Sequence, residues 1–364
     1  MSRLKALGFL LVFLVPALMP VAAWLGRASA HPDALAWFPL FFLFVLLPAL
    51  DYALGHDPSN PPAEQQAQLD AQPWFRALTL ACLPVQLILL AWSGWHFAHA
   101  GFGIAGVAGW LLSQGVVGGV IAINTAHELI HKDSAIERAS GGVLLASVGY
   151  HGFKLEHLRG HHVHVSTPQD ASSARYGQTL WHFLPRALAR NTANAWRLEA
   201  QRLARKGLPW WHPRNEMIGW SALWVAFAAV FAAWLGTAGF GFFVTQGLFA
   251  ACSLEIINYI EHYGLERRAL PDGRYERTTH LHSWNSDYAL SNFLLFHLQR
   301  HSDHHETPKR RYQNLLHHAD SPQLPGGYAA MFVLAFCPPL WFRWVNPRLA
   351  RFRAQAIVGA APSG

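Results

Sequence analysis

The chain has almost no cysteine and little charge. Its three cysteines, Cys82, Cys252 and Cys337, stand alone in apolar surroundings with no C-x-x-C pair. That excludes a disulfide framework and a cysteine-ligated iron or zinc centre built by this chain. Only 13% of its 364 residues are Asp, Glu, Lys or Arg, against 52% hydrophobic, too apolar a balance for the two or three soluble domains such a length would otherwise permit. No basic module interleaved with aromatics is present, so nucleic acid is a poor explanation for the net charge of +7. There is no internal repeat, and no low-complexity tract beyond the Ala/Pro/Gly tail at 358–364.

What is present is a series of long apolar runs. A helix needs about 20 mostly apolar residues to cross the hydrocarbon core, and six stretches qualify: 7–26, 34–53, 76–97, 104–126, 217–238 and 240–260. These predict an integral membrane protein with six transmembrane helices. The first run, between "MSRLK" and "ASA", has the outline of a secretory signal. Its length and the Arg27 that separates it from the small residues predict a retained helix instead. Lys and Arg favour the cytoplasmic side. Arg3 and Lys5, the Arg-rich stretch 132–216 and the tail after 305 all fall on one side if the crossings are even in number. The charge balance thus reads as topology and phospholipid contact.

The chain carries 22 histidines, and they are clustered. "TAHELIHK" places His127 and His131 four apart around Glu128, so that on a helix both imidazoles project from one face. This is the H-E-x-x-H pattern of zinc proteases, but the geometry serves other metals equally. "EHLRGHHVHVSTPQD" adds His157, His161 and His162, with an i, i+4 pair and an immediate neighbour. "NYIEHYGL" adds His262, and "LQRHSDHH" adds His301, His304 and His305. A single histidine at a helix end is ordinarily structural; several close-set groups at helix ends are hard to explain by packing. Imidazole ligates Zn, Fe, Cu and Ni. A catalytic zinc takes three protein ligands, whereas nine histidines suit two metals with room for an exogenous ligand.

Neutral imidazoles bring no negative charge, and two divalent ions beside a membrane call for compensating carboxylates. Glu128, Glu156, Asp170, Glu261 and Asp303 lie near the histidines in sequence and are candidates to hold ligand N–H groups. The alternative is ordinary helix-end pairing of these acids with Lys132, Arg159 or Arg300.

In combination and in order, "HELIHK", "EHLRGHHVHVSTPQDASSAR", "NYIEHYGL" and "LQRHSDHH" resemble the histidine boxes and HYG motif of the membrane alkane 1-monooxygenases, the AlkB-type alkane hydroxylases of the fatty acid desaturase/hydroxylase superfamily. The likeness runs from "DYALGHDPSNPP" at 51–62 to "SPQLPGGY" near 328. It implies an all-α integral membrane protein, six transmembrane helices with a cytoplasmic histidine-rich catalytic cap. The divisions expected are 1–130, 131–216, 217–262 and 263–364, the last with a membrane-associated C-terminal segment. It implies that His127, His131, His157, His161, His162, His262, His301, His304 and His305 ligate two non-haem irons, and that the terminal carbon of an n-alkane is hydroxylated with O2. His151, His164, His280, His282 and His297 match no ligand position and are expected in supporting roles. Some family members carry a fused rubredoxin with C-x-x-C pairs; this chain ends in "AIVGAAPSG". Electrons are therefore expected from a separate rubredoxin with its NAD(P)H-dependent reductase.

An alkane arriving from lipid would need a path between the spans, and Trp37, Phe41 and Phe44 are candidate walls, with lipid-facing packing as the alternative. The basic stretch 186–206 reads either as a rubredoxin landing surface or, in preference, as an amphipathic helix on anionic lipid. Lys309, Arg310 and Arg311 are candidates for docking. Competing functions are a related desaturase, an alkyl-aromatic (xylene-type) hydroxylase and a metal transporter. Transport would place ionisable groups within the spans.

Overall fold

The structure, a computed structural model, describes residues 3–359. Among them the regular structure is helical, and β pairing is limited to three isolated bridges. Five helices are long and apolar enough to cross a membrane: α1 Leu4–Ser29, α2 Pro32–Leu54, α3 Pro73–His99, α4 Ile104–Ile130 and, later in the chain, α7 Glu216–His262. Between them lie α5 Ala135–Ser147 and α6 Leu180–Ala204, and after them α8 His301–Glu306, α9 Tyr328–Ala335 and α10 Pro338–Gly359.

The stretches expected as fifth and sixth crossings form one 47-residue helical run, α7. It starts where Asn215 caps the amides of Met217 and Ile218, and it breaks at Gly236, whose φ of 64° and ψ of −150° suit glycine and strain any other residue. The rings of Trp224 and Phe243 nevertheless lie 6.5 Å apart. On a straight helix nineteen residues would separate them by about 28 Å. The two halves of α7 therefore double back on each other, and both ends return to the same side of the bundle.

The spans pack through small residues, as helices do where lipid offers no hydrophobic contrast. At Gly115 of α4 a Cβ would fall 2.4 Å from the Phe249 Cβ of α7. The shared core takes Phe9, Val12, Leu43, Trp110, Phe231 and Phe242, whereas Trp24, Ile88, Val225, Trp234 and Leu248 point outward. Phe9 of α1 sits against Phe75, Phe293, His297 and Tyr312, so α1 is built into the part of the molecule that carries the third histidine box.

Helix α6 contains most of the basic stretch 186–206. Its buried residues Phe183, Ala187, Asn191, Ala195, Glu199 and Leu203 recur every four positions, a single stripe that packs on protein. Glu199 draws in Arg159 and Arg202, which leaves the outer face for solvent or lipid. Lys309, Arg310 and Arg311 each close an internal ion pair, with Asp133, Asp303 and Glu137 respectively. Arg310 and Arg311 thus clasp carboxylates that are buried, and Lys309 is the one of the three that lies on the exposed surface.

Just before α8 the backbone turns through Phe296 and His297, both left-handed with φ of 51° and 56°. The turn is held by the His297 amide donating to Asn292 O at 2.8 Å and by His297 Nδ1, 3.1 Å from Tyr312 O. Strain of this kind persists only where the surroundings over-determine it. Here it aims α8 at the histidines of the earlier segments.

Candidate metal centre

All nine expected histidines converge. They form two sets in each of which the candidate ligand nitrogens lie within 4.8 Å of one another: His127, His131, His157, His162 and His304 in one, His161, His262, His301 and His305 in the other. Every segment contributes for a local reason. His127 and His131 are one turn apart at the end of α4. In α8, at 100° per residue, His301, His304 and His305 share one face, while Asp303 and Glu306 fall on the opposite one.

The second box departs from the α-helical reading of its sequence. His157–His161 is a π turn, and the His162 amide reaches back five residues to the His157 carbonyl. This i→i+5 pattern sets His157 over His162, whose Nε2 atoms are 3.0 Å apart, and turns His161 toward the second set. Such π-bulges in α-helices are frequent at functional sites. Two others lie close by: Gly119–Asn124, which leads into "TAHELIH", and Phe42–Leu46 in α2.

The donor set fits metal ions. Nε2 atoms approach at 3.0 Å (His131 with His157), 3.1 Å (His162 with His304), 2.9 Å (His301 with His305) and 3.2 Å (His161 with His305). Adjacent ligands on an ion with metal–nitrogen bonds of about 2.1 Å stand about 3 Å apart. Burial first, then mutual repulsion, holds His131, His157, His162, His301, His304 and His305 well below the ordinary histidine range. Each neutral ring keeps one nitrogen lone pair, which it can turn toward a cation at the centre. His127 Nε2 and His262 Nε2 have no hydrogen-bond partner. Convergent buried lone pairs of this kind are what a cation satisfies.

The five candidate carboxylates divide. Asp170 lies 3.0 Å from His161 Nδ1 and is itself held by Ser173 Oγ and the Ser172 amide. Burial opposes a charge on His161, yet Asp170 raises its pKa above the ordinary value. Glu261 Oε2 lies 3.2 Å from His301 Nε2. Glu128 instead pairs with Lys132 at 2.9 Å, the helix-end alternative. Asp303 faces away from the ligands and binds Arg310, His318 and the Leu316 amide. Glu156 is buried against Gly160. Ser283, whose Oγ is 3.2 Å from His262 Nδ1, was not legible as a partner, because it follows His262 by 21 residues with no motif between.

Of the other histidines, His151 bonds Ser221 and His282 lies between Thr279 and Glu276. Glu255, absent from the sequence reading, is buried in α7 and held by Tyr150, Asn191 and Asn258.

An apolar cavity of about 90 Å³ lies between α2, α4, α7 and α9, and Phe44, Leu47, Val116, Leu254 and Phe332 are among its walls. Phe44 stacks on Phe332 with centroids 4.7 Å apart. Trp37 and Phe41 are not part of the lining: Trp37 is half exposed with its indole N–H on Ala105 O, and Phe41 is exposed. Asn124 and Leu298 border this cavity and also two small hollows beside the histidines, one at His127 and His304, the other at His127, His157 and His301. Asn124 and Leu298 thus stand between the apolar chamber and the histidine cluster.

Membrane-spanning helices that end in a buried polyhistidine centre define a class, the histidine-box membrane metalloproteins. The fatty acid desaturase family model matches residues 102–335, the region that holds all nine histidines. Alkane 1-monooxygenase 2 of Pseudomonas aeruginosa is 51% identical over 97% of this chain and 94% of its own length. Alkane 1-monooxygenase 2 of Alcanivorax borkumensis is 50% identical over 97% and 93%. The xylene/toluene monooxygenase hydroxylase component XylM of Pseudomonas putida is 29% identical over 67% and 64%. The chain belongs to the fatty acid desaturase family and, within it, to the alkane 1-monooxygenases.

Proposed function

We propose that the protein hydroxylates the terminal carbon of medium-chain n-alkanes to 1-alkanols, with O2 and electrons from a separate rubredoxin served by its NAD(P)H-dependent reductase. The observation that carries this reading is the apolar cavity between the spans, with Asn124 and Leu298 standing between it and the histidines.

Five histidines (His127, His131, His157, His162, His304) are assigned to one iron and four (His161, His262, His301, His305) to the other, on the strength of their grouping. Bound iron supplies O2 reduction and oxygen insertion into an unactivated C–H bond. The chain's own contribution is placement. Asp170 sets the ring of His161, and Ser283 that of His262. Phe44, Phe332 and the aliphatic walls exclude water and guide the alkane end-on toward Asn124 and Leu298. No side-chain general base is assigned.

The topology assigned is six crossings, with α7 counted as two because it doubles back at Gly236. The histidines then lie at the cytoplasmic face of a bacterial-type inner membrane, where basic residues gather. Lys309, exposed, is the remaining candidate of its trio for rubredoxin docking. The likeness to XylM keeps alkyl-aromatic hydroxylation as a second reading, with lipid desaturation as a related chemistry.

Membranes containing the protein, supplied with octane, O2, rubredoxin, its reductase and NADH, are expected to form 1-octanol. A benzylic alcohol from xylene without octanol would favour the second reading, and an alkene would favour desaturation. Stoichiometric zinc with no O2 consumption would overturn all of these.

A further inference from the structure

Helix α8 has a second polar face. Opposite its three centre-facing histidines, Asp303 and Glu306 point toward His280 and His318, which come from separate loops. His280 Nδ1 lies 2.7 Å from Glu306 Oε2 and its Nε2 lies 3.0 Å from Asp320 Oδ2. His318 Nε2 lies 2.8 Å from Asp303 Oδ1 and 3.9 Å from Glu306 Oε2. The two imidazoles stack in parallel, 4.3 Å between centroids and 6° between planes. The donor atoms form two overlapping sets, each within 4.8 Å: His280, His318 and Asp320, and Asp303, Glu306 and His318.

We propose that these five side chains form a peripheral binding site for a divalent transition ion, separate from the nine-histidine centre. Three observations carry this. The donors are mixed imidazole and carboxylate from three separate segments, the ligand chemistry of zinc, manganese or ferrous iron. Charge also balances. Arg310 sits 2.7 Å from Asp303 and offsets it. Among the described residues, Glu306 and Asp320 have only the two histidines as ion-pair partners. Two carboxylates and two neutral imidazoles neutralise one divalent cation. Finally, the site is accessible: the Asp320 side chain is 71% exposed and the two imidazoles 21% each. An ion there ties the 280–282 loop and the 318–320 loop to the back of α8, and so braces the helix that carries the third box.

The test uses the full chain in lipid nanodiscs, loaded with iron and titrated with Zn²⁺ against a chromophoric chelator, with zinc and iron counted by mass spectrometry. The wild type is expected to hold one zinc per chain beyond the metal of the nine-histidine centre. Asp320→Asn, a change on the surface, is expected to weaken that extra equivalent tenfold or more. The double variant His280→Ala/His318→Ala is expected to lose it, and iron content is expected to be equal in all three. The absence of an extra equivalent in the wild type, or its undiminished retention in Asp320→Asn, would overturn the proposal. Loss of iron together with zinc in Asp320→Asn would also overturn it, because the two sites would then not be separate.

Discussion

The two faces of α8 handle histidine in opposite ways. On the inner face, three imidazoles join six others in a space where, among the described residues, Asp170 and Glu261 are the carboxylates paired with them. On the outer face, two imidazoles sit among three carboxylates at the edge of solvent. The difference lies in what compensates the burial of polar groups. The inner imidazoles other than His161 are kept neutral by burial and converge on one another, an arrangement that bound cations would stabilise. The outer ones have carboxylates beside them, so a cation bound there would meet its neutralising charge already in place. Nine imidazoles gather on one side and two on the other, and the two groups differ in the charges that surround them.

The sharpest way to break this contrast is to remove one inner imidazole. His304→Ala or His305→Ala is expected to lose metal and to lower alkane turnover on the order of 100-fold or more, since even outer-shell partners of metal ligands are worth about 10–100-fold. Metal content and octanol formation check this. Iron retained at full stoichiometry in both variants would mean that α8 does not hold the centre.

The partners of the ligands come next. Asp170→Asn is expected to cost about 10–100-fold in metal affinity by freeing the ring of His161. Glu128→Gln, which leaves Lys132 buried without its pair, is expected to destabilise the fold by about 3–5 kcal/mol, while the protein that remains folded keeps its metal. Thermal denaturation and metal analysis on the same samples separate the two effects. Equal metal loss in both variants would put Glu128 among the ligand supports.

His151 offers a histidine that is neither ligand nor carboxylate-bound. Burial pushes its pKa down to about 4. A histidine depressed below the ordinary value of about 6.5 opposes folding once the unfolded chain takes up a proton. Stability from this group is thus complete above about pH 6.5 and falls as pH drops toward 4, by about 3 kcal/mol over that window. His151→Gln is expected to flatten the stability profile there; an unchanged slope would assign the acid sensitivity elsewhere.

Smaller effects probe the routes to the centre. Phe44→Ala removes the ring stacked on Phe332 and is expected to shift the longest alkane oxidised, with turnover of shorter ones changed only a few-fold; Trp37→Ala and Phe41→Ala should leave the profile unaltered. Lys309→Glu is expected to slow rubredoxin-driven turnover a few-fold at low salt and not at high salt. An effect independent of salt would remove Lys309 from the docking surface.

Most of the candidate ligands were legible from their spacing, and His262 from the motif around it. Four-residue steps on an α-helix put His127 with His131, and His301 with His305. The histidines of the second box also converge as expected, but how they divide was not legible, because a π turn changes which residues align and nothing in "HLRGHH" marks its hydrogen bonds as i→i+5. The carboxylates were the least legible. Asp303 stands between ligands in sequence, but a rotation of 200° from His301 turns it outward, whereas Asp170, nine residues from His161, folds back to meet it. The shared wall at Asn124 and Leu298 joins residues far apart in the chain, and no local pattern announces it.

By itself the sequence determined that this is a helical membrane protein and which nine histidines are candidate ligands, since hydropathy and helical spacing are local properties of the chain. Only the tertiary structure decided how those histidines divide into five and four, which acids support them, where an apolar chamber lies beside them, and that α8 is polar on both faces. Those are distances between segments remote in sequence, and they are set by packing.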